Sequence, residues 1–310
     1  MQLIPPGTNI NFMGKKWMAI GLSCVLILIG IISLIIHKGP RYGIDFAGGI
    51  LVQVEFGKPT TPSEIRMALD KAGLPLPMIQ HAWEFGQREP REYLIRMNLG
   101  QGDADALTQA LTKALQDHLS HLSPVIKRVE MVGPKVGKDL RKKGLKAIIF
   151  ALIGLLIYIA WRFELGFALG AILALVHDVL ITLGVFSVLD KEINLPIIAA
   201  FLAIVGYSLN DTIVVYDRIR ENMKKYRREI FERIINKSIN ETLSRTIMTS
   251  TTTLLVVMAL FFLGGEVIHN FSLALLVGIM VGTYSSIFIA SPVLIFWRRK
   301  SPLASRSKGR

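Results

Sequence analysis

Cysteine is nearly missing from this chain: Cys24 is the only one in 310 residues, and it falls inside an apolar run. That excludes both a disulfide framework and a cysteine-based metal site. Charge is scarce too. Only 19% of residues are Asp, Glu, Lys or Arg while 51% are hydrophobic, and a mean hydropathy of +0.46 excludes an ordinary soluble protein of this length. Acids are the scarcer sign, 23 against 36 Lys and Arg, which leaves a formal charge of +13. Such an excess can signal nucleic acid. Here, however, the bases cluster at the borders of the hydrophobic runs, where they fix orientation and meet anionic headgroups, so nucleic-acid binding is set aside in favour of a lipid bilayer.

The sequence therefore predicts a polytopic α-helical membrane protein with six transmembrane helices. Residues 1–16 end in Lys15-Lys16 and stay in the cytoplasm, and 17–36 form an uncharged first span with no small-x-small cleavage site, hence an uncleaved anchor. Residues 144–297 hold spans two to six: Ala147 to Trp161, Gly166 to Leu189, Leu195 to about Tyr216, Thr246 to Leu263 and Phe271 to Trp297. Alternating them from an inside start puts Arg162, the basic segment 218–245 and the tail 298–310 on the cytoplasmic side. Within that segment Ile230, Phe231, Ile234, Ile235 and Ile239 recur at helical spacing among bases, which predicts an interfacial helix on the inner leaflet. The basic run 135–146 is expected to lie along the headgroups.

Between the first two spans, 37–143 is polar enough to fold outside the bilayer. It reads as strand (49–56), helix (62–72), strand (78–85), strand (92–99), helix (103–122, with Asp103 near its start) and strand (124–132). A β-α-β-β-α-β order is that of one α+β ferredoxin-like exterior domain, a sheet with two helices on one face. His81, His118 and His121 lack ligand spacing. Gly133-Pro-Lys-Val-Gly-Lys138-Asp139 is one residue short of a phosphate-binding loop and has Asp where a hydroxyl would hold magnesium.

Chemistry concentrates inside the membrane. Asp211 interrupts the fourth span, and a carboxylate at that depth is tolerated only facing other helices or water. Arg245 stands at the cytoplasmic end of the fifth span, followed by hydroxyls, with 242, 245, 246, 249 and 253 on one helical face. Such a stripe either carries water or packs helices closely. Asp211 sits roughly 10 Å above the inner boundary, within reach of a long side chain rising from it, so an ion pair with Arg245 is expected. His177-Asp178 adds a second titratable pair in the third span. Adjacent helical residues point about 100° apart and need not touch, which leaves proton relay and structural hydrogen bonding both open. Asn210 and Thr249 are candidate supports, whereas Asp217, next to Arg218 and Arg220, reads as a solvated or salt-bridged helix-end residue. Gly166-x-x-x-Gly170 and Gly278-x-x-x-Gly282 read as close helix contacts.

Tyr42-Gly-Ile-Asp45-Phe-Ala-Gly-Gly49, Val132-Gly-Pro-x-Val-Gly137, His177-Asp178, Gly206-Tyr-Ser-Leu-Asn-Asp211-Thr-Ile-Val-Val-Tyr-Asp217-Arg-Ile-Arg-Glu and Arg245-Thr-x-x-Thr-Ser together resemble the SecD/SecF family of bacterial protein-export membrane proteins, within the proton-driven resistance-nodulation-division superfamily. The resemblance covers almost the whole chain. It implies a multi-pass protein of the cell inner membrane with residues 37–143 periplasmic, paired with a SecD subunit that carries its own six spans. It also implies that the two help the SecYEG channel pull preproteins outward on the proton gradient after SecA acts. Asp211 matches the family's functional acid and Arg245 its essential arginine. No cofactor beyond the coupling proton and no active site for covalent chemistry are expected. Two other classes remain: a half-transporter of lipids or drugs, for which a compact exterior domain of about 100 residues leaves little cavity, and a passive assembly factor in which Asp211 and Arg245 only dock a partner.

Overall fold

The computed structural model describes Pro5 and residues 8–75, 77–81, 91–97 and 104–300. Asp103, the strand ends expected at 82–85 and 98–99, and the tail beyond 300 lie outside the described residues. Among the described residues, six helices are long and apolar enough to cross a membrane. They are α1 (Lys16–Ile36), α5 (Pro134–Arg162), α6 (Leu165–Val188), α7 (Leu195–Lys225), α8 (Phe231–Leu263) and a last span built from α9 (Gly265–Ser285) and α10 (Ser291–Lys300). The last two are joined through a π-helical turn, Ser286–Ala290, in which the Ser291 hydroxyl bonds the Ser286 carbonyl at 2.8 Å.

Helices α6, α7 and α9 are the most buried and form the centre, with α1, α5 and α8 around them. Small residues set how closely they approach. α1 crosses α6 at Gly30 and Gly184, where a Cβ on either glycine would collide with the other's Cα, and Ser33 and Ser187 pair one turn further out at 2.8 Å. Both glycine pairs singled out in the sequence lie at contacts: Gly166 meets Trp297, Gly170 meets Tyr216, Gly278 meets Ile204 and Gly282 meets Ser208. Without a hydrophobic drive between helices in lipid, such close packing is what holds them together.

One expectation is corrected. The isoleucines at 234, 235 and 239 do not lie on the leaflet as a separate interfacial helix. They belong to the first turns of the continuous 33-residue α8, and Ile235 and Ile239 pack into the core beside Tyr216 and Leu294. The basic run 135–146 is the first third of α5, continuous with the second span and mostly exposed. The apolar stripe at 230–239 found helices of the bundle, which offer better packing than lipid does. The N-terminal strap is fastened to α8 by two amides one turn apart: Asn236 accepts from the Phe12 N–H at 2.8 Å, and Asn240 accepts from that of Ile10 at 2.8 Å.

The domain between α1 and α5 has the element order β1 (Gly49–Phe56), α3 (Pro62–Lys71), β2 (Met78–His81), β3 (Glu92–Met97), α4 (Ala104–Leu119), β4 (Pro124–Val132), preceded by the short α2 (Ile44–Ala47). Its sheet is antiparallel throughout, in the order β2-β3-β1-β4, with a bulge between Gln53 and Val54 opposite β4. Alternation puts Ile50, Val52, Val54 and Phe56 on the face that α3 and α4 cover with Ile65, Leu69, Leu111 and Leu115. A capping box opens α3. Thr61 Oγ1 accepts the Glu64 N–H, and Glu64 accepts the Thr61 N–H and the Thr60 hydroxyl. These bonds, that of Thr60 first, hold the Glu64 carboxyl below its ordinary range. Burial instead pushes the Tyr93 phenol up, and that hydroxyl donates to the Thr60 carbonyl.

Candidate functional site

The exterior domain is fastened to the bundle at the start of α7. Gly48, with a positive φ of 79°, turns the chain from α2 into β1 so tightly against Pro134 that a side chain there would clash. Just before it, residues 41–45 clip the α6–α7 turn. Ile193 N–H donates to the Arg41 carbonyl at 2.7 Å and Gly43 N–H to that of Ile193 at 2.8 Å. The Asp45 carboxylate accepts the free N–H of Leu195, the first residue of α7, at 2.7 Å. Glu192, buried, is paired with Arg96 of β3 and lies 3.8 Å from Arg41, which also pairs with Asp190. Ions, backbone pairing and a helix cap thus join the sheet to α7.

About four and a half turns along α7 from that cap, Asp211 faces the centre of the bundle and is 2% exposed. The Ser250 hydroxyl of α8 lies 3.3 Å from Asp211 Oδ2 and 2.7 Å from the Thr283 hydroxyl of α9, and Thr283 can donate to the Ile279 carbonyl at 2.9 Å. Each hydroxyl has one proton and can also accept. With Asp211 ionised, the hydroxyls point toward it, Thr283 donating to Ser250 and Ser250 to the carboxylate. With Asp211 protonated, both turn round, so the acid donates to Ser250, Ser250 to Thr283, and Thr283 to Ile279. Three helices meet here in an arrangement that satisfies either protonation state.

The ion pair expected between Asp211 and Arg245 is not formed. Arg245 is exposed on the outer side of α8, and among the described residues no ion pair joins the two. Its guanidinium acts on the carboxylate only through space. The physical reason is the helix turn: 242, 246 and 250 face inward, whereas 245, 248 and 252 face out. The proposed hydroxyl stripe under Arg245 divides accordingly. Thr249, Thr252 and Thr253 donate back to carbonyls of their own helix, so Thr249 does not reach the acid. Asn210 is exposed on α7 and stands away from the Asp211 carboxylate's contacts.

His177 and Asp178, by contrast, do touch. The His177 Nδ1 to Asp178 Oδ1 distance is 2.9 Å, because side-chain torsions bring the neighbouring groups together although their Cβ directions diverge. Asp178 is fully buried, and its Oδ2 accepts hydroxyls from Ser208 of α7 at 2.6 Å and Ser285 of α9 at 2.9 Å. On the far side of the imidazole, Nε2 lies 3.0 Å from the Ser23 hydroxyl of α1, Ser23 donates to Tyr284 Oη at 3.1 Å, and Tyr284 donates to the Ala19 carbonyl at 2.6 Å. Ser208 is one turn before Asp211, so the two acidic centres share α7. Asp217 pairs with Arg162 at 3.6 Å on the half-exposed surface, as a helix-end residue does.

Sequence reasoning missed Ser23, Ser208, Ser250, Thr283 and Ser285. The signal that was available is register: Ser208 is three residues before Asp211, and Ser250 completes the inward row 242, 246, 250.

Comparison with known proteins places this architecture. Residues 111–300 match the family described as protein export membrane protein SecD/SecF, C-terminal, and residues 33–60 match the SecD/SecF GG motif. The chain belongs to the SecD/SecF family. It is 48% identical over 298 residues to the protein translocase subunit SecF of Thermodesulfovibrio yellowstonii, covering 95% of this chain and 96% of that one. To the corresponding subunit of Magnetococcus marinus it is 50% identical over 299 residues, covering 95% and 94%. Among solved structures, the crystal structure of SecDF from Thermus thermophilus superposes with a TM-score of 0.84 at 38% identity. That match covers 95% of this chain and 39% of the longer SecDF chain, so this SecD/SecF family member spans about two fifths of it. The clip at Arg41 to Asp45 falls within the GG-motif match, and both acidic centres fall within the C-terminal one.

Proposed function

We propose that this chain is a SecF-type subunit of the Sec export machinery, which works with a SecD subunit beside the SecYEG channel to draw preproteins across the cytoplasmic membrane, using protons as its only coupling ion. It does so without covalent chemistry. The observation that carries the reading is Asp211, buried where three helices meet and bonded through hydroxyls that can reverse direction when it gains or loses a proton. Passing one charge across the membrane supplies ~2.3 kcal/mol per 100 mV, enough to bias two helix arrangements against each other. Arg245, exposed on α8, is available to approach the acid in the alternative arrangement and to make there the pair that is open here. The outer end of α7 is held by Asp45 and the Arg41–Glu192–Arg96 cluster, so a shift of α7 is passed to the exterior domain, which grips or releases the substrate. In this reading both termini are cytoplasmic and the sheet domain is periplasmic, in agreement with the bases bordering the inner ends of the spans.

The test is Asp211→Asn in vesicles containing the partner subunit and the channel. Retained assembly with loss of the proton-dependent part of preprotein export supports coupling. Export that responds to an imposed pH difference as fully as before rules it out and leaves a docking role.

A further inference from the structure

The bonds around His177 fix where protons must be. Tyr284 has one proton and gives it to the Ala19 carbonyl, so toward Ser23 it can only accept. Ser23 then spends its single proton on Tyr284 and can only accept from His177 Nε2. Nε2 therefore carries hydrogen. On the other side, Nδ1 is 2.9 Å from Asp178 Oδ1, a contact that needs a proton between the two atoms, while Oδ2 is already supplied by Ser208 and Ser285. The pair thus holds two protons, one on Nε2 and one shared with the carboxylate, whichever atom of the short contact bears it.

We propose that His177–Asp178 is a second proton-binding site within the membrane, separate from Asp211, whose loaded state ties α9 to α1 through Tyr284 and Ser23. Unloading releases one proton to water and leaves an imidazole with hydrogen on Nδ1 only, beside an ionised Asp178. Ser23 must then turn its hydroxyl to the bare Nε2. Tyr284, still committed to Ala19, loses its donor, and the Ser23–Tyr284 link opens. The titratable side chains near the pair are few. Tyr284 of α9 stacks on the imidazole with ring centroids 6.2 Å apart. On α7, Asp211 turns to Ser250 and Tyr216 to the Ala290 carbonyl. On α1, Cys24 next to Ser23 is exposed, as is Tyr158 on α5. The inference stands on this proton count and does not rest on the reading of Asp211.

The test is nitrogen-15 NMR of the full chain, labelled at histidine and placed in lipid nanodiscs. His177 is assigned as the signal surviving when His37, His81, His118, His121 and His269 are replaced by Gln. At about pH 7, where an ordinary imidazole is mostly neutral, the proposal expects two N–H groups on His177. Tyr284→Phe keeps the ring but removes the acceptor, freeing Ser23 to donate to Nε2, so one N–H should remain. Ser23→Ala, which removes the partner of Nε2, should do the same and serves if the first variant does not fold. A single N–H in the unaltered chain, or two in both variants, overturns the proton count. A pair that keeps both protons from about pH 5 to about pH 10 is a fixed structural element and overturns the site.

Discussion

At the scale of single residues, the proposed coupling turns on which hydroxyls reach a carboxylate. Ser250→Ala removes the bridge from Asp211 to Thr283, and a buried acceptor deprived of its donor costs about 1–3 kcal/mol. We expect assembly with the partner to persist, while proton-dependent export in vesicles falls several-fold. Thr249→Ala, one residue away, removes a hydroxyl that only bonds its own helix, and its effect on thermal stability should stay within about 0.5 kcal/mol. An equal loss of export in both variants would refute the assignment of Ser250. In the exterior domain, Glu64 has a carboxyl held below its ordinary range by Thr60 and Thr61. A lowered acid contributes stability that is present above the ordinary glutamate value and is lost as pH falls through the folded one. Thr60→Val should therefore shrink the loss of α3 protection on acidification, read by hydrogen exchange of the full chain. The acids themselves were legible in the sequence because a charge in an apolar run is costly enough to stand out. Their partners were not, since a serine or threonine in a membrane helix looks the same whether it serves a neighbour or its own backbone.

At the scale of elements, the contact of α7 with the exterior sheet and the crossing of α1 over α6 carry the most weight. Glu192 is buried against Arg96 and close to Arg41. Glu192→Gln leaves Arg96 without this counter-charge, while Arg41 keeps Asp190, a change toward the low end of the ~3–5 kcal/mol seen for broken buried pairs because both arginines are partly exposed. Protease cleavage within residues 37–143 should accelerate in the intact complex. Unchanged cleavage would mean that the backbone bonds at Ile193 hold the domain without the ions. Gly184→Leu forces α1 away from α6, at a cost of about 1–3 kcal/mol or more, and lowers the thermal midpoint of the full chain. The helices and strands were readable from periodicity and length. The junctions were not: the Arg41, Arg96 and Glu192 cluster brings together positions scattered along the chain, and no local pattern marks it. The same limit explains the misreading at 230–239, where an amphipathic stripe fits a lipid surface and a helix bundle equally well.

At the scale of the whole molecule, the two acidic centres share α7 and α9 but face different neighbours, Asp211 of α7 toward α8 and the His177–Asp178 pair of α6 toward α1 through His177. Loading one therefore changes the packing on one side of the bundle without requiring the other to follow. Helix α8 gives this arrangement a mechanical reading. With 33 residues it is roughly 50 Å long, well beyond a hydrocarbon layer of ~30 Å. Its first turns, packed into the bundle through Ile235 and Ile239, carry Asn236 and Asn240 with the strap they grip. A tilt of about 10° about Ser250 moves Asn236, ~20 Å away along the helix, by roughly 3 Å. On the proposed reading, a proton's arrival beside Ser250 is felt as displacement at the strap, roughly 20 Å along the helix from the carboxylate that received it.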